Sequence, residues 1–336
     1  MANTVMTVAE VLARLQPEAD PALRPAGGTA RAAAGDLRDG SLYLLDEPLR
    51  LAVQVAVATG RPLLLTGDPG SGKSSLAAYL AARLGWRYYE RVITGRTEAS
   101  DLLYQFDTVR KLGDAAGSRR KLDDRRYVEP GVLWHALDPE GAKRRTGTPL
   151  AQGADVNRGR SKHHAVVLID EIDKADPEVP NALLVPLGSG RFPVPETQDE
   201  VRMVTPATRK KQALAAPWLL VITSNGEREL PPAFVRRCVT HQLASPTAAR
   251  LETIAEAHAE RDGLVLDAVE KRRIRDLAAQ AVRIRDELRQ ANRKGAGTAE
   301  FLDAVRASRE LGIGPAQTTA WERLLALTLS KAAARP

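Results

Sequence analysis

Apolar positions follow two rhythms along this chain. Short apolar-rich runs bounded by turn residues read as strands: RPLLLT ending at Thr66, RYYERVIT (87 to 94), AVVLID (165 to 170) and WLLVITS (218 to 224). Between them lie segments with helical spacing. YLLDEPLRLAVQVAVATG stops at Gly60, and SLAAYLAARLG stops at Gly85. Strands alternating with helical crossovers predict an α/β fold with a parallel sheet buried on both faces. Past Ser245 the strand rhythm ends. TAARLETIAEAHAERDG, AVEKRRIRDLAAQAVRIRDELRQANRKG and GTAEFLDAVRASRELG are amphipathic at helical period and punctuated by glycine. A small all-α domain is therefore expected over 245–336, after a larger domain over 41–244.

Residues 1–40 open with a short amphipathic stretch around Val8 to Leu15 and then turn to PEADPALRPAGGTARAAAG, poor in large apolar groups. That composition reads as a flexible leader. A polar stretch over about 107–162 interrupts the larger domain. A structureless loop of that length is improbable inside a compact domain. A hairpin with arms QFDTVRKL and RRYVEP, a helix at VLWHAL and one disordered or functional loop are expected there.

With 336 residues, 43% of them hydrophobic, the chain can bury a real core in each domain. The net charge of +7 comes from scattered arginines and keeps nucleic acid among the possible partners. Cys238 is the single cysteine, which excludes an intrachain disulfide, and no Cys/His spacing suits zinc. The N-terminal decapeptide lacks the basic start and apolar core of a signal peptide, and the longest apolar runs are too short or too interrupted to span a bilayer. A cytoplasmic protein is expected.

The chemistry is concentrated where the first strand ends. Gly67, Gly72, Lys73 and Ser74 satisfy G-x-x-x-x-G-K-[ST] between a strand and a helix. Small residues let backbone N–H groups close around a polyphosphate, and the helix N-terminus adds positive potential. The segment Gly67, Asp68, Pro69, Gly70, Ser71, Gly72, Lys73, Ser74, Ser75 is thus the expected nucleotide-binding loop, with Asp68, Pro69 and Ser75 as scaffold. Lys73 would reach the terminal phosphates and the Ser74 hydroxyl would ligate Mg²⁺. In VVLIDEIDKA the apolar strand delivers Asp170 to its C-terminal end, where a carboxylate can hold the Mg²⁺ shell, and Glu171 follows as the group to activate a water. Asp173 and Lys174 read as solvated helix-cap residues. Asn225 sits just past a buried strand, where its amide could bridge the γ-phosphate and the attacking water. Arg236 and Arg237 follow PPAFV and could present a guanidinium to a neighbouring subunit's γ-phosphate.

Taken in order, GDPGSGKSS, VVLIDEIDKA, TSN and ELPPAFVRRC resemble the Walker A, Walker B, sensor 1 and arginine-finger elements of AAA+ ATPases. LPPAFVRRC and YVEPGVLWHAL are most similar to the MoxR-type group of that family. The resemblance implies a P-loop AAA+ core with a parallel five-stranded sheet and a helical lid, ATP and Mg²⁺ as cofactors, and a ring, hexameric in such proteins, with ATP bound between subunits. It assigns Lys73 to phosphate, Ser74 and Asp170 to Mg²⁺, Glu171 as catalytic base, Asn225 as sensor 1 and Arg237 as finger, with Arg236 the alternative. Tyr43, Leu44 and Leu45 fall where such proteins pack near adenine. The sequence departs from the pattern at GAGTAEFLDAV, where Ala299 and Glu300 replace a sensor 2 arginine. That function is absent or supplied elsewhere, with Arg293, Lys294 and Arg306 as candidates. MoxR-type proteins are chaperone-like partners of von Willebrand factor A domain proteins or of conflict-system components, and such a client is what the likeness implies.

The leading expectation is an ATP-hydrolysing remodelling protein acting on a protein partner. A DNA-acting ATPase, clamp-loader or helicase-like, is the alternative. It rests on the net charge and on Arg119, Arg120 and Lys121, RKK (209 to 211) and KRRIR (271 to 275), with only 4% aromatic residues to stack on bases. A scaffold that binds ATP without turning it over is a third reading, disfavoured by Glu171.

Overall fold

A computed structural model of the protein describes residues 6–16, 40–117, 122–146, 157–204, 216, 218–291, 293 and 295–330. The chain divides into two compact units: one takes in the N-terminal segment to Pro21, Leu45–Thr66 and Ala77–His241, and the other Ala22–Leu44, Gly67–Leu76 and Gln242–Pro336.

The first unit is built on strands β1 (Leu63–Thr66), β2 (Arg87–Val92), β3 (Tyr104–Phe106), β4 (Val128–Pro130), β5 (Ala165–Asp170), β6 (Arg191–Val194), β7 (Asp199–Arg202), β8 (Trp218–Ser224) and β9 (Val239–Gln242). Five of them form the expected parallel sheet, in the order β2-β5-β8-β1-β9. Every residue of β5 and β8 is buried, as strands covered on both faces require. Their register pairs Leu63 with Val221, Thr66 with Ser224, Ile169 with Ile222 and Val92 with Asp170. All these strands therefore end on one edge.

The helix Glu47–Thr59 starts where the Asp46 carboxylate accepts the Leu49 N–H at 3.0 Å, and it ends at Gly60 with φ 66°. It buries Leu49, Ala52, Val53, Ala56 and Val57. The amphipathic stretch at the N-terminus is a helix, Val8–Arg14, closed by a Thr7/Glu10 capping box. Residues 6–16 are packed rather than free: Val11 and Leu15 are buried, and the Met6 N–H donates to His164 Nε2 at 3.0 Å. His164 in turn stacks on Trp86. The remainder of the expected leader, 17–39, lies outside the described residues.

The insertion differs from expectation at its start. The first hairpin arm is only Tyr104–Phe106, paired antiparallel with Val128–Pro130. From Thr108 to Gly117 the chain is helical, because the Asp107 carboxylate accepts the Arg110 N–H at 2.8 Å and caps a helix there. VLWHAL is helical as expected, with all six side chains buried. A second hairpin, β6–β7, has no counterpart in the sequence reading. Its Pro193 argues against a strand interior, but the proline lies in a two-stranded ribbon and pairs with Glu200. Trp134 packs edge-on against Phe192, and Phe192 stacks on Tyr104, so both hairpins meet over the helix Val132–Leu137.

The second unit is helical past Gln242, and no strand occurs there among the described residues. Helices Ala248–Arg261, Ala268–Gln290, Thr298–Glu310 and Thr318–Leu325 enclose Leu251, Ile274, Leu277, Phe301, Trp321 and Leu324. Thr247 caps the first of these, and an Asp267/Glu270 capping box starts the second.

His135 is buried beneath the first unit's sheet with no partner for Nε2. Burial, reinforced by the nearby Arg87 charge, pushes its pKa from 6.5 down to about 4. An imidazole held neutral in the fold but free to protonate when unfolded costs stability as pH falls from about 6.5 towards 4. His135→Leu is expected to raise stability by about 1 kcal/mol and to flatten the fall in melting temperature across that window; unchanged pH dependence would show that other groups control it.

Candidate functional site

The chain leaves β1 at Thr66 and turns through a loop before the helix Lys73–Leu84 begins. Gly67, Gly70 and Gly72 have φ of 143°, 73° and 91°. Those values favour glycine. Contact adds a second constraint at Gly67, where a Cβ would lie 2.6 Å from the Leu243 carbonyl oxygen. Lys73 is buried, and its ammonium donates to the carbonyl oxygens of Gly67 and Asp68, both at 2.8 Å. The cation is thereby folded back into the loop, with Ser74 and Ser75 following it on the first turn of the helix.

Within the same unit, Gly70 meets the start of the helix Thr298–Glu310. The Thr298 N–H donates to the Gly70 carbonyl at 2.8 Å, and a Cβ on Gly297 would fall 2.5 Å from the Gly70 Cα. Glu300 accepts the Gly297 N–H at 3.0 Å and caps that helix. A Cβ on Gly72 would come 3.4 Å from the Tyr43 ring, which places that ring alongside the loop. The Leu44 carbonyl accepts from Arg250, whereas Leu45 belongs to the first unit. The Asp68 carboxylate accepts from the Ser245 hydroxyl and from Arg289, each at 2.6 Å. The Ser245 hydrogen bond, aided by the Arg289 and Lys73 charges, holds the carboxyl below the usual range.

In the first unit a polar cluster forms at the ends of β5 and β8. The Thr223 hydroxyl donates to Asp170 Oδ1 at 2.5 Å and accepts the Glu171 N–H at 2.9 Å. Glu171 has φ 60° and ψ 47°, a left-handed conformation that is strained for a residue with a Cβ. Its carboxylate is held from both sides, by Asn225 Nδ2 on Oε1 at 3.0 Å and by Lys174 Nζ on Oε2 at 2.6 Å. Asp173 is buried, not solvated: it accepts the N–H groups of Asn225 at 3.1 Å and Glu227 at 2.8 Å. Lys174, expected beside it as a solvated cap, is instead the ion partner of Glu171.

Arg236 and Arg237 follow the short helix Pro232–Val235, and both are exposed. Arg61 donates to their two backbone carbonyls, at 3.1 Å to that of Arg237. A cavity of about 240 Å³ beside them is lined by Leu184, Leu187, Phe234 and Cys238. Burial pushes the Cys238 thiol up to about 11, which leaves it a neutral lining group.

A glycine loop around a lysine, a strained Glu after a buried strand and an arginine pair after a short helix occur here in one chain order. The family profile described as AAA domain (dynein-related subfamily) matches residues 62–238. The chain belongs to this AAA family. No curated protein sequence matches it. Among solved structures it is similar to three mutant forms of Thermotoga maritima RuvB, at 17%, 16% and 17% identity and TM-scores of 0.36, 0.36 and 0.37. The matches cover 79%, 76% and 76% of this chain and 68%, 66% and 66% of those chains. Likeness at that level carries no information on activity.

Within this AAA domain the structure joins Asp170, Glu171 and Asn225 in one hydrogen-bonded cluster, and the loop from Gly67 to Gly72 runs directly into the helix that opens with Lys73, Ser74 and Ser75. Arg236 and Arg237 belong to another segment of the first unit, directly after the short helix Pro232–Val235. Sequence reasoning missed Thr223, which bridges Asp170 and Glu171; its only signal was a hydroxyl two residues before Asn225 in a buried strand. It also missed Arg61, Ser245 and Arg289. Of the sensor 2 candidates, Arg293 and Arg306 are exposed and Lys294 lies outside the described residues. The basic clusters 119–121 and 209–211 also lie outside them, while KRRIR falls on the helix Ala268–Gln290, where Arg275 pairs with Glu252.

Asp173→Ala would leave two backbone N–H groups without their acceptor. The expected cost is about 2 kcal/mol, read from the urea midpoint of the intact chain; an unchanged midpoint would show that water replaces the carboxylate.

Proposed function

We propose that the chain is a magnesium-dependent ATP phosphohydrolase of the MoxR type that works as an oligomeric remodelling protein on a protein client. The observation that carries this reading is the Lys73 ammonium, buried and held by the carbonyls of Gly67 and Asp68 inside a loop whose three glycines all have positive φ. Such a loop fits a polyphosphate: phosphate oxygens can replace the carbonyls as acceptors for the lysine, and the amides and the helix start at Lys73 supply further positive potential. Tyr43 is positioned to flank the base.

Magnesium, when bound, neutralises phosphate charge, and Ser74 and Asp170 are the residues to hold it. The loop follows directly from Thr66, whose strand pairs with β8, and β8 pairs with the strand that ends in Asp170. Glu171 then takes a proton from the water that attacks the γ-phosphorus, and the bond to the β,γ-bridging oxygen breaks to release ADP and phosphate. Asn225 fixes the Glu171 carboxylate and can report on the γ-phosphate. An exposed guanidinium at Arg237, or at Arg236, serves the nucleotide of a neighbouring subunit in a ring, a hexamer in this reading. The sequence motifs favour the MoxR group, and with it a client carrying a von Willebrand factor A domain or belonging to a conflict system; this transfer is by family analogy. The division at 41–244 and 245–336 into ATPase core and lid is part of the same reading.

Titration calorimetry with MgATP should give a saturable heat that Lys73→Ala abolishes; no heat from the unmodified chain would overturn the nucleotide reading. Glu171→Gln should retain MgATP binding while phosphate release falls by about 10²-fold or more, and near-normal turnover would exclude Glu171 as the base. Arg237→Ala should bind MgATP normally yet be inactive alone. Mixing it with the Lys73→Ala protein should restore part of the turnover, because each supplies what the other lacks; no rescue with either Arg237→Ala or Arg236→Ala would exclude a shared site.

A further inference from the structure

The second unit places a carboxylate on the loop that the proposed function gives to a polyphosphate. Asp68 directly follows Gly67, and its backbone carbonyl is one of the two that hold Lys73. A full negative charge at the lip of an anion site opposes the anion unless it is cancelled nearby. Beside the Lys73 ammonium, a guanidinium offsets it by charge and a hydroxyl by hydrogen bonding. The Ser245 hydroxyl donates to Asp68 Oδ2 at 2.6 Å, and Arg289 Nη2 donates to the same oxygen at 2.6 Å. Arg289 also reaches the Ser245 hydroxyl at 3.2 Å, which closes a triangle.

Ser245 lies just past β9, and Arg289 lies in the last turn of the helix Ala268–Gln290. A loop residue is thus tied at two points to the helical segment. The side chains of Arg289 and Asp68 are 59% and 53% exposed. An ion pair so open to water contributes little to stability, so its consequence lies in the charge and placement of the loop.

We infer that Ser245 and Arg289 form a clamp on Asp68 that cancels its charge and sets the affinity of the loop for a nucleoside triphosphate. Arg289 is then a positioning residue that acts through Asp68 and not by touching the phosphates. With Ala299 where the family resemblance implies an arginine, Arg289 supplies a lid cation to the loop by another route. This inference rests on the nucleotide reading of the loop.

The test is MgATP titration calorimetry on the full chain for the unmodified protein, Arg289→Ala, Asp68→Asn and the double variant, with Lys73→Ala as blank. Arg289→Ala, a change at an exposed position, should keep its melting temperature and bind about three- to tenfold more weakly. The loss should shrink as salt is raised. Asp68→Asn should bind at least as tightly as the unmodified chain, and Asp68→Asn with Arg289→Ala should match Asp68→Asn alone. Equal affinity of Arg289→Ala and the unmodified chain would overturn the clamp and leave the nucleotide reading standing. A loss that Asp68→Asn does not rescue would also overturn it, because Arg289 would then act on the ligand itself. No heat from the unmodified chain beyond the Lys73→Ala blank would overturn the nucleotide reading and the clamp together.

Discussion

In a parallel ladder every strand ends on the same edge, so the hydrogen bonds that pair Leu63–Thr66 with Val221–Ser224 and Ala165–Ile169 with Trp218–Ile222 also fix where the chain is handed to loops. Asp170, Glu171 and Asn225 are all set down at that edge. Moving β5 or β8 by one residue would swap its two buried faces and force repacking on both sides of the sheet. The candidate chemistry therefore inherits its placement from the apolar core.

At the end of β5 the backbone is held in a conformation it would not choose. Glu171 stays left-handed because its surroundings over-determine it: Thr223 takes its N–H, Asn225 and Lys174 take its carboxylate, and its carbonyl accepts the Lys174 N–H at 3.0 Å. Asp173, buried below, pins the backbone of Asn225 and Glu227. Strain at one residue is thus offset by a set of hydrogen bonds that also aims the carboxylate. Asp170, Thr223, Glu171, Asp173 and Asn225 each have a hydrogen-bond partner within the cluster.

The glycine loop obeys a different constraint. Gly67 lies against the Leu243 carbonyl, and Gly70 against Gly297, so side chains are excluded there both by φ and by contact. Close backbone approach leaves the loop little room to shift without moving the start of the helix Thr298–Glu310, which is hydrogen-bonded to it through Thr298. The GAG at 295–297 thereby has a packing reason of its own, separate from the residue that follows it at Ala299. The Asp68 contacts add a polar tie between the same loop and the helical segment.

The linear sequence by itself determined four strands of the sheet, though not the edge strand β9, and with them the loop and its lysine, the Asp-Glu pair, Asn225, the arginine pair and the helical nature of the region past Ser245, because each carries a local signature: an apolar run, a motif spacing, a 3.6-residue period. It did not show the helix at Thr108, whose start depends on one capping aspartate within a stretch that also suits a strand, or the hairpin 191–202, whose proline is tolerated only because the ribbon has two strands. Tertiary structure alone decided that Asp173 is buried, that Thr223 bridges Asp170 and Glu171, that Arg61 grips the backbone of Arg236 and Arg237, and that Arg289 reaches Asp68 from far along the chain. These are hydrogen bonds between residues tens to hundreds of positions apart. Their partners are chosen by packing and burial, and no spacing along the chain encodes them.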